Sequence, residues 1–435
     1  MPDPVRLSSS DLELLLALMK VPSVAPLEGG DTAATRDAQD IVEQGAIDRG
    51  YALSRRDSPP LMALERGDVP ADVRKLASGS AAFLEDQPSL VLSLGSPQPW
   101  HRRLVINFHV DTVGPYVPPR LASGQLYGSG AVDDKGPGIA ALVGVSKAFA
   151  LKPHLFDEVE VQIASVPGEE GGAMGVYGTR WLVESGWRGR LMIFAEPTGG
   201  RVLDSVSATM TPLLRVSGAD ATDDRPTEGH NATLALGFLA AFLARGLDKA
   251  AAELGGRVCI AGMRTGDQHN RVYGTGELLL NIAYYDTTAG DRLAGVVEEL
   301  LEEARHRFAD EFAETSIAHR LIADWENVVR LDWVKRGLPT LANRDPLMES
   351  LLTACGLYRS DGVKDGTAFT CDAIWAGTTG AYVAVCGPGD LAVNGAHTPG
   401  EHVDLSDLES YATRIRDLVI RFAAHLTTHQ RERAP

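Results

Sequence analysis

Four short segments of the chain carry side chains that bind metals or move protons: His109-Val110-Asp111, the loop around Asp133, the pair Glu169-Glu170, and Glu196 in Ala195-Glu196-Pro197-Thr198. A fifth candidate, His397, lies far downstream. Each stands where an apolar, strand-like run stops, which is where an α/β scaffold presents reactive groups. Two imidazoles and three carboxylates, with no thiolate, form a nitrogen and oxygen donor set suited to zinc, cobalt or manganese. One carboxylate bridging two ions roughly 3.5–4 Å apart would build a cocatalytic pair. The chemistry such a set would suit is metal-assisted hydrolysis. A metal lowers the pKa of water from about 15.7 to around 7, and a carboxylate takes the proton and returns it to the leaving amine.

The motifs differ in how much they say. Residues two apart in extended backbone point the same way, so His109 can bind metal while Asp111 orients it or its neighbours. Alone, that dipeptide is a weak signal. The stretch 128–136, Gly-Ser-Gly-Ala-Val-Asp-Asp-Lys-Gly, is more specific. It is no phosphate loop, because Lys135 is followed by Gly-Pro and not by Ser or Thr. Glycines ahead of two adjacent acids suit a backbone bent to aim carboxylate oxygens at cations. Glu169 and Glu170 follow a Pro-Gly turn, where adjacent side chains diverge: one can ligate while the other faces a bound water.

These groups need a scaffold. Residues 103–108, 158–165 and 191–195 read as strands, each running into a candidate ligand, and 139–150 and 175–184 read as helices. Strands separated by helices predict a largely parallel sheet with function at its carboxyl edge. Beyond about Ser205 the pattern changes to strand 211–216, helix 232–243, strands 258–263 and 277–285, helix 293–312 and strand 316–323. That β-α-β-β-α-β order is a ferredoxin-like split unit. It holds none of the five candidates, so it is expected as an insertion: a catalytic domain of 1–206 and 333–435, interrupted by 207–332. A polar stretch at 61–100 receives no assignment. An amphipathic first helix over 12–19 is expected, capped by the Ser8-Ser9-Ser10-Asp11 cluster.

Bulk properties exclude several roles. A chain of 435 residues suits two domains, and its formal charge of -17 argues against nucleic acid and suits a site that concentrates cations. Four scattered cysteines form no Cys-x-x-Cys pair, which favours reduced thiols in the cytoplasm. No basic leader or membrane-length apolar run is present, so no membrane partner is expected.

With its motifs in this order, the chain resembles the metallohydrolases that include acetylornithine deacetylase, succinyl-diaminopimelate desuccinylase, aminoacylase, glutamate carboxypeptidase and cytosolic dipeptidases. The resemblance runs over nearly the whole chain. It implies a zinc-exopeptidase-like catalytic domain with a mixed, largely parallel sheet, and a ferredoxin-like lid that dimerises. It implies two divalent ions, zinc with cobalt or manganese as alternatives. His109 and Glu196 would hold one, Glu170 and His397 the other, and Asp133 would bridge them. Glu169 becomes the general acid/base and Asp111 the outer partner of His109, and a cis peptide joins Asp133 to Asp134. Glu at position 196, where dipeptidase-like members carry Asp, favours hydrolysis of a small N-acyl amino acid; a dipeptidase or carboxypeptidase is the alternative.

The chain also departs from that family. Thr222 stands where the lid carries an oxyanion-stabilising His, a donor whose loss typically costs about 2.7–4 kcal/mol. His230 or His269 is a candidate replacement, and Asn270 matches a substrate contact of the lid. Asn281-Ile282-Ala283 and Ile374 stand where arginines that grip a carboxylate are common. These departures open a third reading, a specialised or non-hydrolytic member that binds a small molecule.

Overall fold

The computed structural model describes residues 2–432, so residue 1 and residues 433–435 of the outer expected segments lie outside it. The chain divides into two compact units. The first comprises residues 1–66, 72–206 and 341–435, and the second residues 67–71 and 207–340.

The first unit is built on an eight-stranded sheet. Its order is Ala52–Asp57, Ser89–Leu94, Glu160–Val166, Arg103–His109, Leu191–Pro197, Tyr382–Gly387, Arg201–Leu203, Tyr358–Ser360. The four strands from Glu160–Val166 to Tyr382–Gly387 are mutually parallel, whereas the first two pair antiparallel, which makes the sheet mixed. The parallel strands are buried along almost their whole length, as covered parallel strands must be, and their sequences are near-continuous apolar runs. Helix Lys135–Leu151 packs between strand Arg103–His109 and the long helix Leu405–Glu432. Its residues from Ile139 to Val145 are buried without a break, so it reads as a core helix rather than an amphipathic one. Gly144 permits that fit, since a Cβ there would meet the Ala412 carbonyl of the neighbouring helix. The first helix, Ser9–Lys20, has a Ser8/Asp11 capping box.

The stretch left unassigned from sequence contains a strand. Ser89–Leu94 is fully buried and pairs with Glu160–Val166. A short helix, Thr179–Glu184, replaces the longer one expected from residue 175, because residues 170–178 form turns.

The second unit is a four-stranded antiparallel sheet ordered Arg257–Arg264, Thr275–Tyr284, Ala208–Ser217, Val329–Lys335, with helices Ala232–Leu254 and Thr287–Glu311 in the β-α-β-β-α-β sequence. Its last strand corrects the sequence reading. Residues 316–323, expected as a strand, are a 3-10 turn followed by helix His319–Val328, and the strand comes after them. Ala318, Leu321, Trp325 and Val328 are its buried positions, spaced three, four and three apart, a helical period. The unit therefore ends at Thr340, beyond the expected 332. Among the described residues no helix is long and apolar enough to cross a membrane.

Candidate metal centre

Strand Arg103–His109 lies between Glu160–Val166 and Leu191–Pro197, with His109 opposite Val166 and Asn107 opposite Phe194. Three parallel strands thus deliver His109, the Glu169-Glu170 turn and Glu196 to one edge of the sheet. The Asp133-Asp134 pair reaches the same edge from the loop preceding helix Lys135–Leu151. There the helix N-terminus favours negative charge, and the peptide joining the two acids is cis. Gly128 and Gly130 bend that loop through φ of 119° and 82°, a region that disfavours any residue with a Cβ.

Asp133 is the hub. Its Oδ1 lies 3.0 Å from His109 Nε2, and its Oδ2 lies 3.0 Å from His397 Nε2. The same His397 nitrogen is 3.0 Å from Glu170 Oε1. His109 Nδ1 is 2.9 Å from the Asp111 carbonyl oxygen, an acceptor, so Nδ1 carries the proton and Nε2 faces the acids. Ligand-capable atoms of His109, Asp133 and Glu170 lie within 4.8 Å of one another, as do those of His109, Asp134 and Glu196.

Of the two roles the sequence left open to the Asp111 carboxylate, holding His109 or holding its neighbours, the geometry favours the second. The carboxylate sits 3.7 Å from His109 Nδ1, too far for a hydrogen bond. Instead it accepts the N–H groups of Gly168 at 3.0 Å, Glu169 at 3.4 Å and Glu170 at 3.0 Å. Asp111 shapes the turn that carries the two glutamates, and its backbone rather than its carboxylate orients the imidazole.

Charge is unbalanced here. Asp133, Asp134, Glu170 and Glu196 are buried, Glu169 is half-buried, and the imidazoles opposing them are His109 and His397. Burial pushes the Asp134, Glu169 and Glu196 carboxyls well above the usual range, and neighbouring carboxylates add to the push. Asp133 is the exception: burial pushes it up too, but its two imidazole partners outweigh that and hold it below the usual range. Hydrogen bonds that the His397 ring donates to Asp133 and Glu170 raise it to about 11. Both Asp134 carboxylate oxygens are buried and find no hydrogen-bond partner among the described residues. An unpaired buried carboxylate costs several kcal/mol by order of magnitude. Cations answer both features, and the donor set is one that divalent metals accept, so the residues fit a metal centre.

Sequence reasoning passed over three further acids. Asp134 appeared only as the neighbour of Asp133. Glu401 accepts the Val132 and Asp133 N–H groups, and its signal was its place four residues after His397. Asp372, raised to about 7 by burial, accepts the Thr179 hydroxyl at 2.5 Å, and Thr179 accepts the Asn107 amide at 2.9 Å. Ile374 is buried, and the Asn281 side chain meets Thr211, so neither position supplies a cation.

The remaining candidates belong to the second unit. His230 is 4% exposed, with Nδ1 accepting the Ala219 N–H at 2.8 Å and Nε2 2.9 Å from Asp324. Both ring nitrogens are engaged, which leaves none for a substrate. Thr222, His269 and Asn270 are exposed. Thr222 pairs with Arg271 in a two-stranded ribbon, and with Asn270 it lines a shallow concavity.

Comparison with known proteins gives a consistent picture. Residues 105–421 match the model of peptidase family M20/M25/M40. A succinyl-diaminopimelate desuccinylase of Thioalkalivibrio sulfidiphilus is 27% identical over 75% of this chain and 84% of its own. A LysW-lysine/LysW-ornithine hydrolase of Sulfurisphaera tokodaii is 35% identical over 22% of this chain, a stretch that spans only 25% of that protein. A Staphylococcus aureus tripeptidase structure superimposes with a TM-score of 0.66 at 16% identity, covering 97% of this chain and all of that one, a likeness of fold.

Proposed function

Because the chain belongs to peptidase family M20/M25/M40, whose members are metal-dependent hydrolases of amide bonds, we propose that it cleaves the amide of a small N-acyl amino acid or peptide-like compound with two divalent ions. The observation that carries this reading is the contact of Asp133 with both His109 and His397, Glu170 beside His397 and Glu196 beside His109. His109 and Glu196 would hold one ion, Glu170 and His397 the other, and Asp133 both. Zinc is the first choice for this donor set, with cobalt or manganese as alternatives. When bound, the ions polarise the scissile carbonyl and lower the pKa of water.

The rest falls to the chain's own side chains. Glu169 stands beside the ligands, held in its turn through the Asp111–amide contact, and burial raises its carboxylate's affinity for a proton. Its carboxylate accepts a proton from the attacking water and delivers it to the leaving nitrogen. Asp111 holds the turn that carries Glu169 and Glu170 through their backbone N–H groups. Asn270 and Thr222 are retained as substrate contacts on family resemblance, with the second unit as a lid. A homodimer through that unit is favoured by its free edge strand Arg257–Arg264, where Ile260 is 37% and Met263 50% exposed. Cytoplasmic residence agrees with four free cysteines.

The test is a panel of N-acetyl, N-succinyl and dipeptide substrates, assayed with added zinc or cobalt and with Glu169→Ala as control. Metal-dependent release of an amine by the wild type, lost in the variant, supports the reading. No turnover on any member of the panel with either metal counts against it.

A further inference from the structure

Glu401 takes no part in the steps above, yet it is buried to 4% exposure beside the hub of the site. Its Oε1 accepts the Val132 N–H at 3.0 Å and the Asp133 N–H at 3.2 Å. Its own carbonyl accepts the Gly128 N–H at 3.0 Å. The next residue, His402, pairs with Tyr127 in an antiparallel ribbon and stacks on its ring, with centroids 5.6 Å apart. One residue therefore fixes the start of the acid loop through its backbone and the end of that loop through its side chain.

That attachment closes a circuit. The His397 ring meets the Asp133 carboxylate, the Asp133 amide meets the Glu401 carboxylate, and four residues of chain lead back to His397. The 128–133 loop lies outside any helix or strand and turns at two glycines of positive φ; its backbone bonds from the Ala131 N–H to the Gly128 carbonyl and from the Gly136 N–H to the Gly130 carbonyl do not involve the Val132 and Asp133 amides. When such a plane rotates, the carboxylate on the following Cα swings with it. Two N–H groups converging on one buried oxygen oppose that rotation.

We propose that Glu401 is a positioning residue that fixes the orientation of Asp133 and its spacing from His397, and through them the affinity of the centre for metal. The proposal deepens the two-ion reading of the site and rests on it.

Three variants separate contact from charge. Glu401→Gln keeps the reach and the accepting oxygen but removes the charge. Glu401→Asp keeps the charge but withdraws it by one methylene, and Glu401→Ala removes both. Calorimetric zinc titration of the metal-free proteins, each with a melting curve to show that it folds, should rank affinity as wild type, Gln, Asp, Ala. Ala and Asp should fall by about 10–100-fold, the usual effect of losing a group that orients a ligand. Wild-type affinity in all three overturns the proposal. So does Asp binding better than Gln, because the negative charge alone would then matter. Amide exchange at Val132 and Asp133 in metal-free protein gives a readout that needs no ion: it should quicken in Asp and Ala more than in Gln, and equal rates in all four proteins overturn the proposal. Wild-type protein binding fewer than two ions defeats the two-ion reading, and the exchange rates then judge Glu401 by themselves.

Discussion

Two regions were expected to meet the substrate, and they differ in how their polar groups are satisfied. At the carboxyl edge of the first unit's sheet, acids are packed together with too few cations, and among the described residues neither oxygen of the buried Asp134 has a hydrogen-bond partner. In the second unit, His230 is equally buried but has a partner at each nitrogen, while Thr222 and Asn270 stand in solvent. Burial alone does not mark a functional group. Burial that leaves charge unanswered does, since folding would not retain that cost without a ligand to offset it.

The sharpest break in this contrast comes from removing the hub. Asp133→Ala should abolish turnover and lower metal content, measured by assay and elemental analysis together; a fully active variant would mean that the cluster is not the active centre. Glu169→Ala should leave metal content near wild type and reduce turnover by about 10²–10⁴-fold. Near-normal rates in that variant would remove Glu169 from the chemistry.

The charge imbalance has a pH signature. Burial and neighbouring acids raise the folded-state pKa of Asp134, Glu169 and Glu196, so the metal-free folded chain binds more protons than the unfolded one. Its stability should fall as pH rises above about 4–4.5, the unfolded carboxylate range, and metal should remove most of that slope. Urea midpoints from pH 5 to pH 8, with and without zinc, test this. Parallel curves would contradict it.

The second unit should respond differently. His230→Ala leaves the Ala219 N–H and the Asp324 carboxylate without their partner, and should cost about 1–3 kcal/mol of stability while kcat stays within a few-fold. A large loss of kcat in a fully folded variant would show that His230 acts in the reaction. Thr222→Ala, at an exposed position, should change stability by less than about 0.5 kcal/mol, and any effect should appear in turnover alone.

What the sequence disclosed follows the same division. His109, Asp133, Glu170, Glu196 and His397 could be picked out as candidates because each ends an apolar strand or a glycine-bent loop, and the structure brings them together. The role of Asp111 could not be settled that way. Its partners are amides 57 to 59 residues away, and hydrogen bonds to backbone leave no trace in side-chain types. Glu401 was hidden for the same reason, its partners lying 268 and 269 residues back. Strand Ser89–Leu94 was lost inside a stretch judged by its average polarity, although its own residues are all buried. The strand expected at 316–323 covers only the start of helix His319–Val328, too short a window to show the helical spacing of Leu321, Trp325 and Val328.

The unanswered acids are proposed to form a two-ion centre. Metal-free protein should be saturated with zinc, freed of excess and counted for bound metal by mass spectrometry of the native chain. Two ions per chain in the wild type, falling in both Asp133→Ala and His109→Ala, is the predicted result. A wild type that takes up no more than one ion at saturation would contradict it.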